Sequence, residues 1–161
     1  MGGAALLISG SAAEMRAALP EGGVLLGLDL GTRTIGTALS DPGWRFATAG
    51  KTLPRGKFAR DLDALRGLAR ERKVAGIVLG LPRNMDGSEG PRAQSARAYA
   101  RNLAPLGLPV LLWDERLSTA SAERDLIAQD WSRAKRKERI DSHAAAVILQ
   151  AALDALAGGA F

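Results

Sequence analysis

The sequence contains no cysteine, only one histidine and few aromatic residues, which make up 4% of its 161 residues. Without cysteine, disulfide bonds, thiolate nucleophiles and thiolate metal sites are excluded, and a reducing compartment is the natural setting. No apolar run reaches the roughly 18 residues that a membrane-spanning helix needs. We therefore expect a cytoplasmic protein in which any bound metal depends on oxygen ligands.

The positive charge of the chain is concentrated in two segments. The net charge is +5, and residues 55–73 hold seven basic and three acidic side chains, while residues 132–139 hold five basic and one acidic. Either segment alone could be an ordinary solvated face. Two such segments in a protein with an isoelectric point of about 10.2 favour a polyanionic partner, which we expect to be nucleic acid.

Hydrophobic patterning divides the chain into an N-terminal arm, residues 1–23, and a single domain, residues 24–161. The arm is rich in glycine and alanine, and we expect it to be loosely ordered or to hold one short helix. In the domain, alternating and continuous apolar runs predict strands, and apolar spacings of three and four predict helices. The predicted strands cover 24–30, 34–39, 46–53, 77–81 and 110–113, and the predicted helices cover 58–69, 91–103, 118–129 and 141–156.

This order of elements predicts an α/β domain with a mixed five-stranded sheet flanked by helices. Strands joined by short turns pair antiparallel, whereas strands joined through helices pair parallel by right-handed crossovers. We therefore expect three antiparallel strands followed by parallel ones. The basic residues 133–139 should form a loop before the last helix.

Three acidic residues occupy places where a carboxylate needs a positive partner. Asp29 interrupts an apolar strand, Glu115 directly follows a buried strand, and Asp141 stands at the expected start of the last helix. An ionised carboxylate in apolar surroundings is costly unless it is paired. Mg²⁺ or Mn²⁺ bound to such oxygens can activate a water and stabilise the leaving oxygen of a phosphodiester.

Each of these acids also has a purely structural interpretation. Asp29 could shape the turn that begins at Gly31, and Glu115 could form an exposed ion pair with Arg116. Asp141 could be the N-cap of the last helix. Patterns alone leave both interpretations open.

Four motifs in a fixed order resemble the YqgF (RuvX-like) family, whose members are described as Holliday junction resolvases or as nucleases that mature the 5′ end of the small-subunit ribosomal RNA precursor. The motifs are LGLDLGTRTIG at 26–36, GLPRNMDGSEG at 80–90, DERLST at 114–119 and IDSHAAA at 140–146. The similarity extends from residue 25 to about residue 156. It implies a ribonuclease H-like fold, which agrees with the predicted order of strands and helices.

The resemblance also implies roles for individual residues. The family's catalytic and metal-binding acids fall on Asp29, Glu115 and Asp141. Related resolvases carry a carboxylate at the end of the fourth strand, where this chain has Gly80-Leu81-Pro82, so that Glu115 must take its place or the number of metal ions is lower. The candidate nucleic-acid-binding residues are Arg33, Asn84, Arg92, Arg116, Arg133, Lys135, Arg136 and Lys137.

The sequence therefore predicts a metal-dependent nuclease that hydrolyses phosphodiester bonds, either in precursor 16S ribosomal RNA or in Holliday junctions, as a monomer or a homodimer. A non-catalytic RNA-binding factor in ribosome assembly is the alternative, because the basic segments would serve it equally well. The DLGT motif at 29–32 also occurs in actin-like and sugar-kinase ATPases. Those proteins need two such domains, and 161 residues are too few.

Overall fold

The computed structural model describes residues 7–118 and 133–158, without the side chains of residues 133–141. Two short 3₁₀ turns, Ala104–Leu106 and Glu115–Leu117, accompany the regular elements. Those elements are β1 (Ile8–Ser9), α1 (Ala12–Ala18), β2 (Val24–Leu30), β3 (Thr34–Ser40), β4 (Ala47–Pro54), α2 (Phe58–Glu71), β5 (Val74–Leu81), α3 (Pro91–Asn102), β6 (Val110–Asp114) and α4 (Arg133–Gly158).

The strands form one mixed sheet in the order β1-β6-β5-β2-β3-β4. Strands β2, β3 and β4 pair antiparallel, whereas β2, β5 and β6 pair parallel. The predicted α/β class and the predicted change from antiparallel to parallel pairing are confirmed. A sixth strand, β1, lies parallel to β6 at the sheet edge; its two residues are too few to produce a recognisable hydrophobic pattern.

Helices cover both faces of the sheet. Along β2, Leu25 belongs to the hydrophobic core beneath α4, whereas Leu26 and Leu28 belong to the core beneath α2 and α3. Successive side chains of a strand point to opposite faces, so a strand covered on both sides is apolar at nearly every position. This explains the continuous apolar run in which Asp29 stands out.

Helix α4 is longer than the sequence predicts. It begins at Arg133, so the expectation of a basic loop over 133–139 is wrong, and so is the expectation that Asp141 opens the helix. Arginine, lysine, alanine and glutamate are good helix formers, but only the later part of α4 carries the apolar pattern that marks a buried face. The helix predicted over 118–129 lies, from residue 119 onward, outside the described residues.

The described part of the N-terminal arm packs against the domain. Met15 of α1 is fully buried, and Ser11 caps this helix by accepting a hydrogen bond from the Glu14 amide at 3.2 Å. Arg16 donates a 3.1 Å hydrogen bond to the Leu156 carbonyl near the end of α4. In the described ranges, no helix is long and apolar enough to cross a membrane.

A glycine in β2 lets α4 lie directly on the sheet. A Cβ atom at Gly27 would stand 2.9 Å from Cβ of Leu149 and 3.2 Å from the carbonyl oxygen of Ala145. Any larger residue would therefore push α4 away from β2. Because Asp29 lies two residues further along the same face of this strand, the close approach also sets the height of α4 above Asp29.

Candidate active site

Asp29 lies near the carboxyl end of β2, on the sheet face that α4 covers, and only 2% of it is exposed. Asp29 belongs to a row of directly paired residues across three strands, which we call its register row. Asp29 is opposite Gly36 in β3, and Gly36 is opposite Thr52 in β4. The Thr52 hydroxyl lies 2.5 Å from the hydroxyl of Ser142 in α4. This contact ties the residue after Asp141 to the row of the sheet that contains Asp29.

Glu115 follows β6 directly, in the 3₁₀ turn Glu115–Leu117, and its carboxylate lies over Gly80 of β5. A Cβ atom at Gly80 would stand 2.9 Å from Oε2 of Glu115. Strand β5 is the neighbour of β2, and Leu79 lies opposite Leu28. Gly80 and Asp29 each follow one of these paired residues, so they occupy corresponding positions in the two strands. Although Glu115 and Asp29 are 86 residues apart (115 − 29), the fold therefore places the Glu115 carboxylate over the strand next to that of Asp29.

Gly80, the residue before the last of β5, leaves this space open for Glu115. A side chain at position 80 and the carboxylate of Glu115 would compete for one space. Glu115 reaches that space from the turn after β6, the neighbouring strand.

The third predicted acid, Asp141, has its side chain outside the described residues. Within the described ranges, no group of three histidine, cysteine, aspartate or glutamate side chains is close enough to hold a metal ion. The described donors at the site are therefore the carboxylates of Asp29 and Glu115.

Five charged side chains are linked by successive ion pairs near the turn that carries Glu115. We call them the ion-pair network. The guanidinium of Arg116 binds the Asp114 carboxylate at 2.7 Å, and Arg83 approaches the same carboxylate at 3.7 Å. Glu89 lies 3.4 Å from Arg83 and accepts two hydrogen bonds from Arg97, at 2.6 and 2.7 Å. The network connects the end of β6, the loop after β5 and α3.

The electrostatics of the network keep its carboxylates ionised. Hydrogen bonds from Arg116 hold the pKa of Asp114 below its ordinary value, despite partial burial. Those from Arg97 likewise lower the pKa of Glu89. Arg116 also donates a 3.4 Å hydrogen bond to the Met85 carbonyl, which links the turn that carries Glu115 to the loop after β5.

A cleft of about 180 Å³ opens beside the two acids. Arg55, just after β4, donates a 2.7 Å hydrogen bond to the carbonyl of Gly31. Arg92, in the first turn of α3, donates to the carbonyl of Leu30 at 3.4 Å. Both guanidinium groups therefore lie across the end of β2, at the two residues that follow Asp29 in the sequence. The cleft is lined by Leu30, Gly31, Thr32, Arg55, Gly80, Pro82, Pro91, Arg92, Ser95, Ala96 and Glu115.

The predicted nucleic-acid-binding residues occupy different environments. Arg92 lines the cleft, whereas the Arg116 guanidinium belongs to the ion-pair network. Asn84 donates a 3.0 Å hydrogen bond to the Ser88 hydroxyl and so shapes the loop after β5. Arg33 is exposed in the β2–β3 turn. The side chains of Arg133, Lys135, Arg136 and Lys137 lie outside the described residues.

Sequence reasoning missed three residues at the site: Arg55, Thr52 and Ser142. In the sequence Arg55 stands out only as the first of seven basic residues in 55–73, and its position two residues after the predicted strand 46–53 is the available signal. Thr52 and Ser142 carry no signal of their own, because only the strand register and α4 bring them together.

Comparison with known proteins shows the family to which the chain belongs. The model of the RuvX family, described as Holliday junction resolvase, matches residues 23–155. A protein of Novosphingobium aromaticivorans named "Putative pre-16S rRNA nuclease" is 67% identical over 96% of this chain and 100% of its own length. One of the same name from Sphingopyxis alaskensis is 63% identical over 93% of this chain and 99% of its own length.

Among solved structures, Thermus thermophilus RuvC in complex with a Holliday junction substrate matches with a TM-score of 0.54 and 14% sequence identity, over 84% of this chain and 96% of that one. At this identity the likeness concerns the fold alone, which is ribonuclease H-like. The family match covers the strands and turns that hold Asp29 and Glu115, as well as position 141. The chain is therefore a member of the RuvX family.

Proposed function

We propose that this protein is a metal-dependent nuclease that hydrolyses phosphodiester bonds in precursor 16S ribosomal RNA. The observation that carries this proposal is the placement of two carboxylates, Asp29 in β2 and Glu115 over Gly80 of the neighbouring β5, beside a cleft lined by arginines. Carboxylates suit metal-assisted hydrolysis, and guanidinium groups suit the phosphates of a nucleic acid. The membership of the RuvX family supports a nuclease over a purely structural site.

The donor set fits a divalent metal ion. Asp29 is buried and Glu115 half-buried, and two such carboxylates repel each other unless a cation lies between them. Both offer oxygen atoms, the ligands that Mg²⁺ and Mn²⁺ prefer. When bound, such an ion would supply activation of the attacking water and stabilisation of the leaving oxygen. The chain itself orients these two carboxylates and holds the phosphate backbone with its arginines.

We further propose Asp141 as the third acid. Its neighbour Ser142 contacts Thr52, which belongs to the register row of Asp29. Position 141 lies one helical turn before Ala145, and the Ala145 carbonyl lies over Gly27 of β2. A residue one turn from the Gly27 contact is well situated to reach the end of β2.

Precursor 16S ribosomal RNA is the preferred substrate because relatives that match along their whole length carry this substrate in their names. A Holliday junction is the second candidate, supported by the family description and by the junction bound to the RuvC structure of similar fold. The two substrates share the phosphodiester group, so the same acids would serve either.

The test is cleavage by purified protein of an RNA that spans the 5′ end of precursor 16S ribosomal RNA, beside a four-way DNA junction. We expect cleavage of the RNA with Mg²⁺ or Mn²⁺ and none with chelator. Asp29→Asn keeps the shape of the side chain but removes a negative ligand, so cleavage should fall by at least about 100-fold while RNA binding persists.

The matched control is Asp63→Asn, which changes an exposed aspartate of α2 that pairs with Arg66 at 3.1 Å. This variant should cut at the wild-type rate. Binding without cleavage under every metal condition would contradict the proposal and favour the non-catalytic assembly factor. Cleavage that persists in chelator would contradict the metal-dependent mechanism.

A further inference from the structure

Arg55 occupies a position in the cleft that the two carboxylates do not explain. Its guanidinium donates to the Gly31 carbonyl at 2.7 Å and to the Ser95 hydroxyl at 3.4 Å. These bonds use two of the five N–H donors of a guanidinium group. Glu115 lines the same cleft, so Arg55 lies near a proposed metal ligand but is not itself one of the proposed ligands.

The surroundings of Arg55 hold its side chain in one place. Its guanidinium lies 5.3 Å from the ring centre of Tyr99, and the ring of Phe58 meets Tyr99 edge-on at 5.1 Å. The buried carboxylate of Asp61 accepts hydrogen bonds from the Gly56 amide at 3.1 Å and from the Tyr99 hydroxyl at 3.4 Å. Asp61 thus fixes both the backbone after Arg55 and the ring beneath its guanidinium.

The charge of Arg55 has no carboxylate partner in the part of the chain that the structure describes. Its contacts there are a carbonyl, a hydroxyl and an aromatic ring, all neutral. By contrast, Arg97 and Arg116 each bind a carboxylate at 2.7 Å or less. A positioned guanidinium with unused donors and no ion pair to a described carboxylate suits a planar or tetrahedral anion, above all a phosphate.

We propose that Arg55 binds a non-bridging oxygen of a backbone phosphate that flanks the phosphodiester held at Asp29 and Glu115. The proposal rests on the proposed nuclease function for the identity of the attacked phosphate. A cleft of about 180 Å³ has room for a phosphate group, since a water molecule takes roughly 30 Å³ of liquid volume. Arg55 would then hold the register of the strand relative to the carboxylates.

The experiment is an interference series with precursor-rRNA oligonucleotides in which one phosphate at a time is replaced by an uncharged methylphosphonate. Binding is measured with chelator in the Asp29→Asn background, so that no cutting intervenes. At one flanking position, the methylphosphonate replacement should weaken binding by roughly 10-fold, which is the effect of losing one charged hydrogen bond. In Arg55→Gln, binding of the unmodified strand should weaken by a similar factor, and that position should no longer interfere.

Two further variants make the result specific. Arg101→Gln removes an exposed charge from the last turn of α3, outside the cleft lining, and should leave the whole interference pattern unchanged. Arg55→Lys keeps the charge but loses the forked geometry, so the interference should persist with a smaller loss of affinity. Thermal unfolding shows whether each variant folds. The interference pattern of the Asp29→Asn parent protein is measured with Arg55 intact, so it tests the phosphate contact even if a variant at position 55 does not fold.

The outcomes separate this inference from the proposed function. An interference pattern that Arg55→Gln leaves intact, or a parent protein in which no single phosphate interferes, would overturn the inference and mean that Arg55 only supports the β2–β3 turn. If interference disappears in Arg55→Gln but the wild-type protein never cuts with Mg²⁺ or Mn²⁺, the phosphate contact stands and the nuclease proposal fails.

Discussion

Two groups of arginines lie near the candidate active site, one in the ion-pair network and one in the cleft, and they use their charge differently. In the ion-pair network, Arg83, Arg97 and Arg116 lie against Asp114 and Glu89. In the cleft, Arg55 and Arg92 donate to main-chain carbonyls at the end of β2. Positive charge is therefore largely neutralised by carboxylates in the ion-pair network, whereas in the cleft it remains available.

The difference teaches how a basic protein can keep a nucleic-acid site separate from its own structure. An arginine bound to a carboxylate has little attraction left for a phosphate, because the pair is nearly neutral at a distance. An arginine bound to a carbonyl oxygen is positioned but remains a full positive charge. The net charge of +5 alone could not distinguish these two groups.

The largest effect should follow from displacing the Glu115 carboxylate, which lines the cleft and follows Asp114 of the ion-pair network. Gly80→Ala would place a Cβ atom 2.9 Å from Oε2 of Glu115 and 3.0 Å from Cδ1 of Ile148. The Glu115 carboxylate is the end of a flexible side chain, so it should move aside at little cost to folding. A displacement of about 1 Å can reduce catalysis on the order of 100-fold. We expect that loss of cleavage rate, measured under single-turnover conditions.

The matched control is Gly67→Ala on α2, where the added Cβ would meet no heavy atom within 4 Å apart from its chain neighbours and the nearby backbone of its own helix. Alanine favours a helix over glycine by about 1 kcal/mol, so this variant should be slightly more stable and equally active. If Gly80→Ala cuts as fast as Gly67→Ala, the position of Glu115 over Gly80 does not matter for catalysis.

A smaller effect should distinguish the two groups of arginines directly. Arg92→Gln removes an exposed charge from the cleft, so RNA affinity should fall and the slope of log affinity against log salt should decrease by about 0.7 to 0.9. Arg116→Gln removes a charge already neutralised by Asp114, so the slope should stay constant while the melting temperature falls. Fluorescence anisotropy across a salt series measures the first quantity, and thermal unfolding measures the second.

The opposite pattern, with the larger change of slope in Arg116→Gln, would mean that Arg116 leaves Asp114 to bind phosphate. Arg116 would then have the nucleic-acid-binding role that the sequence predicts. The distinction between the two arginine groups would then not hold for Arg116.

The sequence predicts β2, β3, β5 and β6 well because nearly every position of these strands is buried, so that a lone acid such as Asp29 is conspicuous. It cannot predict the placement of Glu115 over Gly80, because that contact depends on the parallel register of β5 and β6. The start of α4 was missed because apolar spacing marks only the buried part of a helix. Arg55 owes its position to Tyr99 and Ser95, which are 44 and 40 residues away along the chain (99 − 55 and 95 − 55).

The smallest effect concerns the acid that holds the ion-pair network together. Hydrogen bonds from Arg116 lower the pKa of Asp114 in the folded protein, so its ionised form stabilises the fold. This contribution is complete above the ordinary aspartate pKa of about 3.9 and is lost as the pH falls through the lower folded value. Asp114→Asn should therefore reduce the free energy of unfolding by at most about 1 kcal/mol at pH 7.

The pH dependence of this difference identifies its cause. Glu89 also has a lowered pKa, but it titrates in both proteins and cancels when their melting temperatures are subtracted. The difference between wild type and Asp114→Asn should be constant from about pH 5 to 8 and shrink below about pH 4. Asp63→Asn, whose side chain is 77% exposed, should differ little from wild type at any pH. A difference for Asp114→Asn that persists unchanged at pH 3 would attribute its stabilising role to the shape of the side chain, and the ion-pair network would then owe its stability to packing instead of charge.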